Sequence, residues 1–279
     1  MLGGRQLRFR APVRRTPDVQ SALFTCWPKA SKLNPIPVIA IDGPSASGKG
    51  TVAQRVAARL RFHYLDSGAI YRAAAIAAVR VGVPLDDPLA SEAALAACAA
   101  AMALRFDGER VLLGGADISN AVRSEAVGRD ASRIAGLPAL RAALLKRQRD
   151  FRCLPGLVAD GRDMASVVFP DASLKVFLTA DVAERARRRT AQLSGPPGTT
   201  ESPKGLMGKE NSATIRAPFD AVLADLVERD RRDASRVAAP LLQVTGACLL
   251  DTTAMSIDVA VETVLAWYGT VLAGDSRGR

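Results

Sequence analysis

A single histidine, His63, occurs in 279 residues, and that scarcity removes several kinds of chemistry at once. A Ser-His-Asp triad or a Cys-His relay could draw only on that one imidazole, and a multi-histidine metal centre has too few ligands. Cysteine is sparse too. Cys26, Cys98, Cys153 and Cys248 lie far apart with no CxxC pair, which argues against a zinc site or a disulfide framework and predicts four reduced thiols in a cytoplasmic setting. Long apolar runs are missing: the longest, Ala93 to Leu104, spans twelve residues, against the ~20 that cross a bilayer, so no membrane segment is expected. Acidic residues are in deficit, 28 against 38 Lys plus Arg, and the net charge of +10 points to anionic partners such as nucleic acid, acidic lipid or small phosphorylated molecules.

What is present is a globular mixture, 48% hydrophobic and 24% charged, in a chain long enough for one large domain or two small ones. The charge is uneven. Residues 1–36 hold Arg5, Arg8, Arg10, Arg14, Arg15, Lys29 and Lys32 against Asp18, a balance of +6 that leaves +4 for the other 243. With four prolines and no sustained period, this segment is expected to be a flexible basic extension. An organellar presequence, or a start codon placed upstream of a domain beginning near Pro37, would have the same composition.

From Val38 to Asp42 a β-branched run reaches a Gly-rich segment, and Val52, Val56 and Leu60 then recur every fourth residue: strand, loop, helix. Further apolar runs at 157–159, 174–178 and 247–250 are each followed by polar turns and a helical stretch, which predicts an α/β fold with a parallel sheet flanked by helices. Between Leu104 and Ile118, strand-like runs split by Asp107-Gly108 and Gly114-Gly115 predict a small antiparallel insert. Residues 194–218 are rich in Gly and Pro, in a stretch as long as those used for lids or disordered loops.

Gly43-Pro44-Ser45-Ala46-Ser47-Gly48-Lys49-Gly50-Thr51 is a G-x-x-x-x-G-K loop between a strand and a helix. Its logic is anion capture: glycines let backbone N–H groups converge on phosphate oxygens, the helix start adds its positive end, and Lys49 reaches the outer phosphates. Gly50 stands where most such loops carry a Ser or Thr that ligates magnesium. Three other segments carry charge in suggestive places. LDSGAIYR begins a helix with Ser67 as its expected cap and Arg72 on the first turns. VADGRDM ends a strand at the sheet's carboxyl edge, where open α/β folds bind ligands. ERDRRDASR sets Arg229, Asp233 and Arg236 on one helix face.

Taken in order, IDGPSASGKGT, LDSGAIYRA, ADGRDMASVVFPDA, LTADVAERARRR, ERDRRDASR and LLDTTAMSID resemble bacterial cytidylate kinases across residues 37 to about 270. The resemblance implies a nucleoside monophosphate kinase fold with a five-stranded core, a monophosphate-binding region with a β-rich insert, and a lid. On this chain it implies a core at 37–66, 142–190 and 219–270, a monophosphate region at 67–141, a lid at 191–218 and a tail at 271–279. The implied reaction is transfer of the γ-phosphoryl group of ATP to CMP or dCMP with Mg2+. Lys49, Arg162 and Arg236 would be catalytic, and residues 43–51 with Arg188 and Arg189, and Arg185 nearby, would meet ATP. Arg72, Arg162 and Arg236 would clamp the acceptor phosphate, Arg229 and Asp233 the sugar, and Asp163, Arg141 and Ser132 the cytosine edge, with Ser67 near the monophosphate. No side chain is assigned as a metal ligand, magnesium being held mainly by phosphates and water. The expected partners are the two nucleotides, with no nucleic acid, no membrane and a monomeric chain.

Two departures stand out: Ala165 and Ser166 follow Gly-Arg-Asp-Met where relatives place Gly and Thr, restricting the backbone there, and the lid stretch is long. Three alternatives compete. One is a kinase for another small acceptor, UMP or a shikimate-like molecule; shikimate-type kinases normally keep Ser or Thr after the loop lysine and lack ERDRRDASR. A nucleic-acid binder would need stacking aromatics in the body. A nucleotide sensor has no use for an acceptor clamp.

Overall fold

The computed structural model describes residues 36–108, 110–194 and 219–276. Pro37 and Ile36 are already docked on the body: the Pro37 carbonyl accepts from Leu157 N at 3.0 Å and the Ile36 carbonyl from Arg152 Nε at 2.8 Å. The elements in chain order are β1 (Val38–Asp42), α1 (Lys49–Leu60), β2 (His63–Asp66), α2 (Ser67–Arg80) and α3 (Glu92–Ala101). There follow β3 (Leu104–Asp107), β4 (Arg110–Leu113), β5 (Ala116–Asp117), α4 (Ser119–Arg123), α5 (Glu125–Ile134) and α6 (Pro138–Arg149). The chain closes with β6 (Leu157–Gly161), a π-helical turn at Met164–Val168, β7 (Leu174–Thr179), α7 (Val182–Ser194), α8 (Phe219–Ser235), β8 (Cys248–Asp251) and α9 (Ile257–Ser276).

Five strands form one parallel sheet in the order β2-β6-β1-β7-β8. β1 lies at its centre, wholly buried, and its alternate residues feed two separate cores, as the period of two along a strand requires. Val38 and Ala40 pack with α2, α3 and α6; Ile39 and Ile41 pack with Val52 and Val56 of α1 and with Val264 and Tyr268 of α9. The apolar stretch from Ala93 is mostly α3, whose Leu95 and Ala99 are buried. Burial of apolar surface stabilises by ~25 cal/mol per Å², and the two cores hold β1 between layers of helices, with the loops at the sheet's carboxyl edge.

The insert is a three-stranded antiparallel sheet, β3-β4-β5, with Gly108 at φ 59° and Gly114 and Gly115 at 60° and 82°. These left-handed values are the reason for glycine at both turns. The expected helix cap differs: Asp66, the last residue of β2, caps α2 by accepting from Ala69 N at 3.0 Å, and Ser67 is already inside the helix. The strand passes straight into the helix, so the cap falls one residue earlier. α9 continues through residue 271 to Ser276, and α7 carries the chain through 191–194. The rest of the expected lid, 195–218, and the leader up to residue 35 lie outside the described residues.

Candidate active site

The donor loop is built by backbone. Ala46 at φ 59° and Gly48 at φ 91° alternate with right-handed neighbours, which turns successive N–H groups inward to form an anion nest at the start of α1. No acidic residue occupies the first turn of α1, leaving its positive end open to anions. A Cβ on Gly43 would overlap the Leu178 carbonyl of β7, so the loop leaves the sheet only because that residue has none. Ser47 Oγ donates to Pro44 O at 3.0 Å, Lys49 Nζ reaches the same carbonyl at 3.3 Å, and Thr252 Oγ1 donates to Ser47 O at 3.0 Å.

Beneath the loop, Lys49 faces Asp160, the fourth residue of β6. Burial pushes the Lys49 ammonium down, Arg162 adds to this, and Asp160 opposes it. Burial and then Asp66 push the Asp160 carboxyl up, with Lys49 opposing. Burial thus disfavours the charged form of each, and an anion at the loop would favour the Lys49 cation. Tyr64, on the edge strand, has its hydroxyl hydrogen-bonded with Asp160 and Gln54, and burial followed by the charge of Asp160 keeps it protonated. A Cβ on Gly50 would stand 3.1 Å from Asp160 Oδ2 and 3.6 Å from the Tyr64 hydroxyl. A larger residue after the loop lysine would therefore press on the Asp160 side chain.

In front of the loop opens a cavity of about 1470 Å³, and all nine residues expected at the acceptor line it, together with Lys49 and Arg189. They come from α2, α5, α6, the end of β6 and α8. Asp163 is buried and paired with Arg141, whose other arm donates to Ala135 O at 3.0 Å and whose guanidinium lies 5.8 Å from the centre of the Tyr71 ring. Burial pushes Asp163 up despite the arginines around it. Asp233 is the opposite case: burial would raise it, but Arg162 and Arg236 outweigh that and hold it below the ordinary carboxylate range. Arg162 Nε donates to Asp233 at 2.7 Å, and Arg236 pairs with the other oxygen. Of the nine residues expected at the acceptor, Ser132 and Arg229 each have a buried atom with no hydrogen-bond partner among the described residues, Ser132 Oγ and Arg229 Nε. Burial and then Arg162 push Arg229 well below the ordinary arginine range, so an anion here would relieve both desolvation and repulsion.

Arg72 donates through Nη1 to Val122 O at 2.7 Å and Ser124 O at 3.1 Å, and Gly128 of α5 lies flat against its guanidinium. Ser67 accepts from Gln148 Nε2 at 3.2 Å. The basic run of α7 divides. Arg189 lines the cavity and pairs with Glu125 at the start of α5, whereas Arg188 braces the loop from behind, donating to Thr252 O at 2.5 Å and to Ser47 O at 3.4 Å. Arg185 is buried and lies outside the cavity wall. Ala165 does not need the freedom of glycine: its φ is not positive, and its N–H, with that of Met164, donates to the Asp42 carboxylate at 2.8 Å. Asp42, Asp160, Tyr64 and Gly128 were not singled out in the sequence. Asp160 had a signal, as the acid that precedes Gly161-Arg162-Asp163 at a strand end.

The cytidylate kinase family model matches residues 39–270. The chain is 53% identical over 233 residues to the cytidylate kinase of Chromobacterium violaceum, covering 84% of this chain and 96% of that one. It is 51% identical over 232 residues to the cytidylate kinase of Bordetella pertussis (83% and 95%), and 52% identical over 235 residues to that of Burkholderia mallei (84% and 94%). Matches of this length and identity, on a chain whose loop, sheet and arginine-lined cavity coincide with the six motifs, place it in the cytidylate kinase family.

Proposed function

We propose that this chain transfers the γ-phosphoryl group of ATP to CMP or dCMP, giving ADP and the nucleoside diphosphate. The observation that carries the choice of base is the buried Asp163 paired with Arg141, beside the unpartnered Ser132 hydroxyl. Cytosine offers an amino donor to a carboxylate and carbonyl and ring-nitrogen acceptors to the arginine and serine. Uracil presents the reverse at two of these positions, leaving buried groups unpaired at ~1 to 3 kcal/mol each. Kinases for UMP or a shikimate-like acceptor are therefore not favoured.

In this reading the loop backbone and Lys49 hold the β and γ phosphates, with Arg188 and Arg189 on the donor side. Arg72, Arg162 and Arg236 grip the acceptor phosphate through guanidinium forks, Arg229 and Asp233 hold the sugar, and Ser67 stands near the monophosphate. An acceptor phosphate oxygen forms the new bond to the γ phosphorus as the bond to the bridging oxygen of ADP breaks. No general base is required, because that oxygen already carries the electron pair. The transition state spreads charge over the moving group, so alignment and surrounding cations supply the rate.

A divalent cation accompanies ATP in such kinases, and Asp160 and Asp66, at the strand ends beside Lys49, carry hard oxygen atoms that would face a Mg2+ ion there, mainly through its water shell. Gly50 contributes no hydroxyl, so phosphates and water would supply most of the coordination, and the ion would neutralise charge between the phosphates. One chain carries every assigned residue, so in this reading a monomer would suffice for the reaction, and a cytoplasmic setting suits its thiols. No helix among the described residues is long and apolar enough to cross a membrane. A coupled assay of the purified chain with ATP, Mg2+ and a panel of monophosphates tests the reading. CMP and dCMP are expected to lead the panel; equal or faster turnover of UMP or AMP would overturn it.

A further inference from the structure

Arg185 has a side chain only 6% exposed, and its three nitrogens all point inward to partners. Nε donates to Ala180 O at 2.9 Å, Nη1 to Ser45 O at 3.1 Å and Nη2 to Asp230 Oδ2 at 2.6 Å. One helical turn further along α8, Asp233 receives Arg162 Nε at 2.7 Å, and Arg162 Nη2 donates to Ser45 Oγ at 2.7 Å. Ser45 of the donor loop is therefore tied to α8 twice, its carbonyl through Arg185 to Asp230 and its hydroxyl through Arg162 to Asp233. Asp230 and Asp233 are three residues apart and share a helix face. Arg229 and Arg236, on the acceptor side of the cavity, immediately bracket these two rungs.

We propose that Arg185 and Asp230 are positioning residues that fix the register between the ATP-holding loop and the acceptor-holding helix. This rests on the phosphotransfer reading above. Arg185 lies outside the cavity wall and meets the donor loop only at the Ser45 carbonyl among its hydrogen bonds, so it acts through Ser45. Arginine suits the task because a single planar fork spans three acceptors on three segments; a lysine at 185 keeps the charge and loses the span. In a reaction whose rate comes from alignment, a misplacement of about 1 Å costs ~100-fold. A loop that drifts from α8 still binds ATP and still binds CMP, but presents the γ phosphorus less well to the acceptor oxygen and more openly to water. Attack by water would then release ADP and inorganic phosphate without forming CDP.

The test compares the full chain with Arg185→Lys, Asp230→Asn and the double variant. Wild-type turnover of CMP to CDP is measured first; its absence would sink the phosphotransfer reading, while its presence leaves the variants to decide this one. For each single variant kcat is expected to fall at least tenfold, with CMP affinity in the absence of ATP, read by calorimetry, within twofold of wild type. ADP should form in excess of CDP. The double variant should lose no more than the worse single one, because both changes cut the same rung. The proposal is overturned if kcat stays within twofold, if ADP and CDP remain equal while CMP affinity falls as much as kcat, or if the two losses multiply. Loss of folded protein in both single variants, seen in the melting profile, would equally overturn it by making the pair structural.

Discussion

Residues 43–51, nine in succession, make the donor loop, whereas the acceptor cage takes its nine side chains from five separate places in the chain. The first works through backbone N–H groups and two left-handed residues; the second works through guanidinium and carboxylate groups, several already paired with one another. Binding at the donor side fills a preformed nest. Binding at the acceptor side has to exchange partners, since Arg72 now holds carbonyls, Arg141 holds Asp163, and Asp233 holds two arginines. A loop that addresses only phosphate cannot tell one nucleotide from another, so selectivity falls to the side that works through side chains.

Removing the one side chain that the donor loop depends on should give the largest effect. Lys49→Ala is expected to lower kcat by ~10³-fold or more, about 4 kcal/mol of transition-state stabilisation, with an unchanged circular dichroism spectrum. A smaller loss with a matching rise in KM for ATP would show that the backbone nest alone suffices. Asp163→Ala strikes the other half. It strands Arg141, and kcat/KM for CMP should drop ~100-fold while that for UMP drops much less, so the ratio of the two narrows. Equal losses for both substrates, measured side by side, would take base selection away from this residue.

A third contrast lies in stability. Burial, against the hydrogen bonds from Ala165 and Met164, pushes the Asp42 carboxyl up from 3.8 to about 6. Between those values the folded chain keeps a proton that the unfolded chain has released, so stability from this group is complete below about pH 4 and is lost as the pH rises to about 6. Urea unfolding across that interval should show a decline, of up to about 3 kcal/mol from this group, that Asp42→Asn flattens; parallel profiles would exclude it. The smallest effect is expected far from both pockets. Arg59 pairs with Glu262 at 2.8 Å with both side chains 60% exposed, and Arg59→Ala should move Tm by no more than about one degree.

The strand, loop and helix of the donor side were legible, because spacing along nine residues is enough to mark a G-x-x-x-x-G-K loop. The parallel strands and the two glycine turns of the insert were legible for the same local reason. The acceptor half was legible only as a series of motifs, since no local rule brings α2, α6 and α8 together. Least visible were groups whose partners are remote. Arg185 meets Ser45 across 140 positions of sequence, Asp42 meets Ala165 across 123, and the basic run of α7 gave no sign that one arginine would face the cavity and its neighbours the back of the loop. The misplaced cap at Ser67 was a smaller matter: Ser is a good cap by type, but β2 runs directly into α2 and Asp66 takes the cap.

The crowding around Gly50 has an evolutionary side. Asp160 Oδ2 and the Tyr64 hydroxyl occupy the space that a larger residue there would enter. A descendant of this sequence that acquired the commoner serine or threonine would have to shift the Asp160 side chain by a few tenths of an ångström, so the change at position 50 is coupled to the acid on the neighbouring strand.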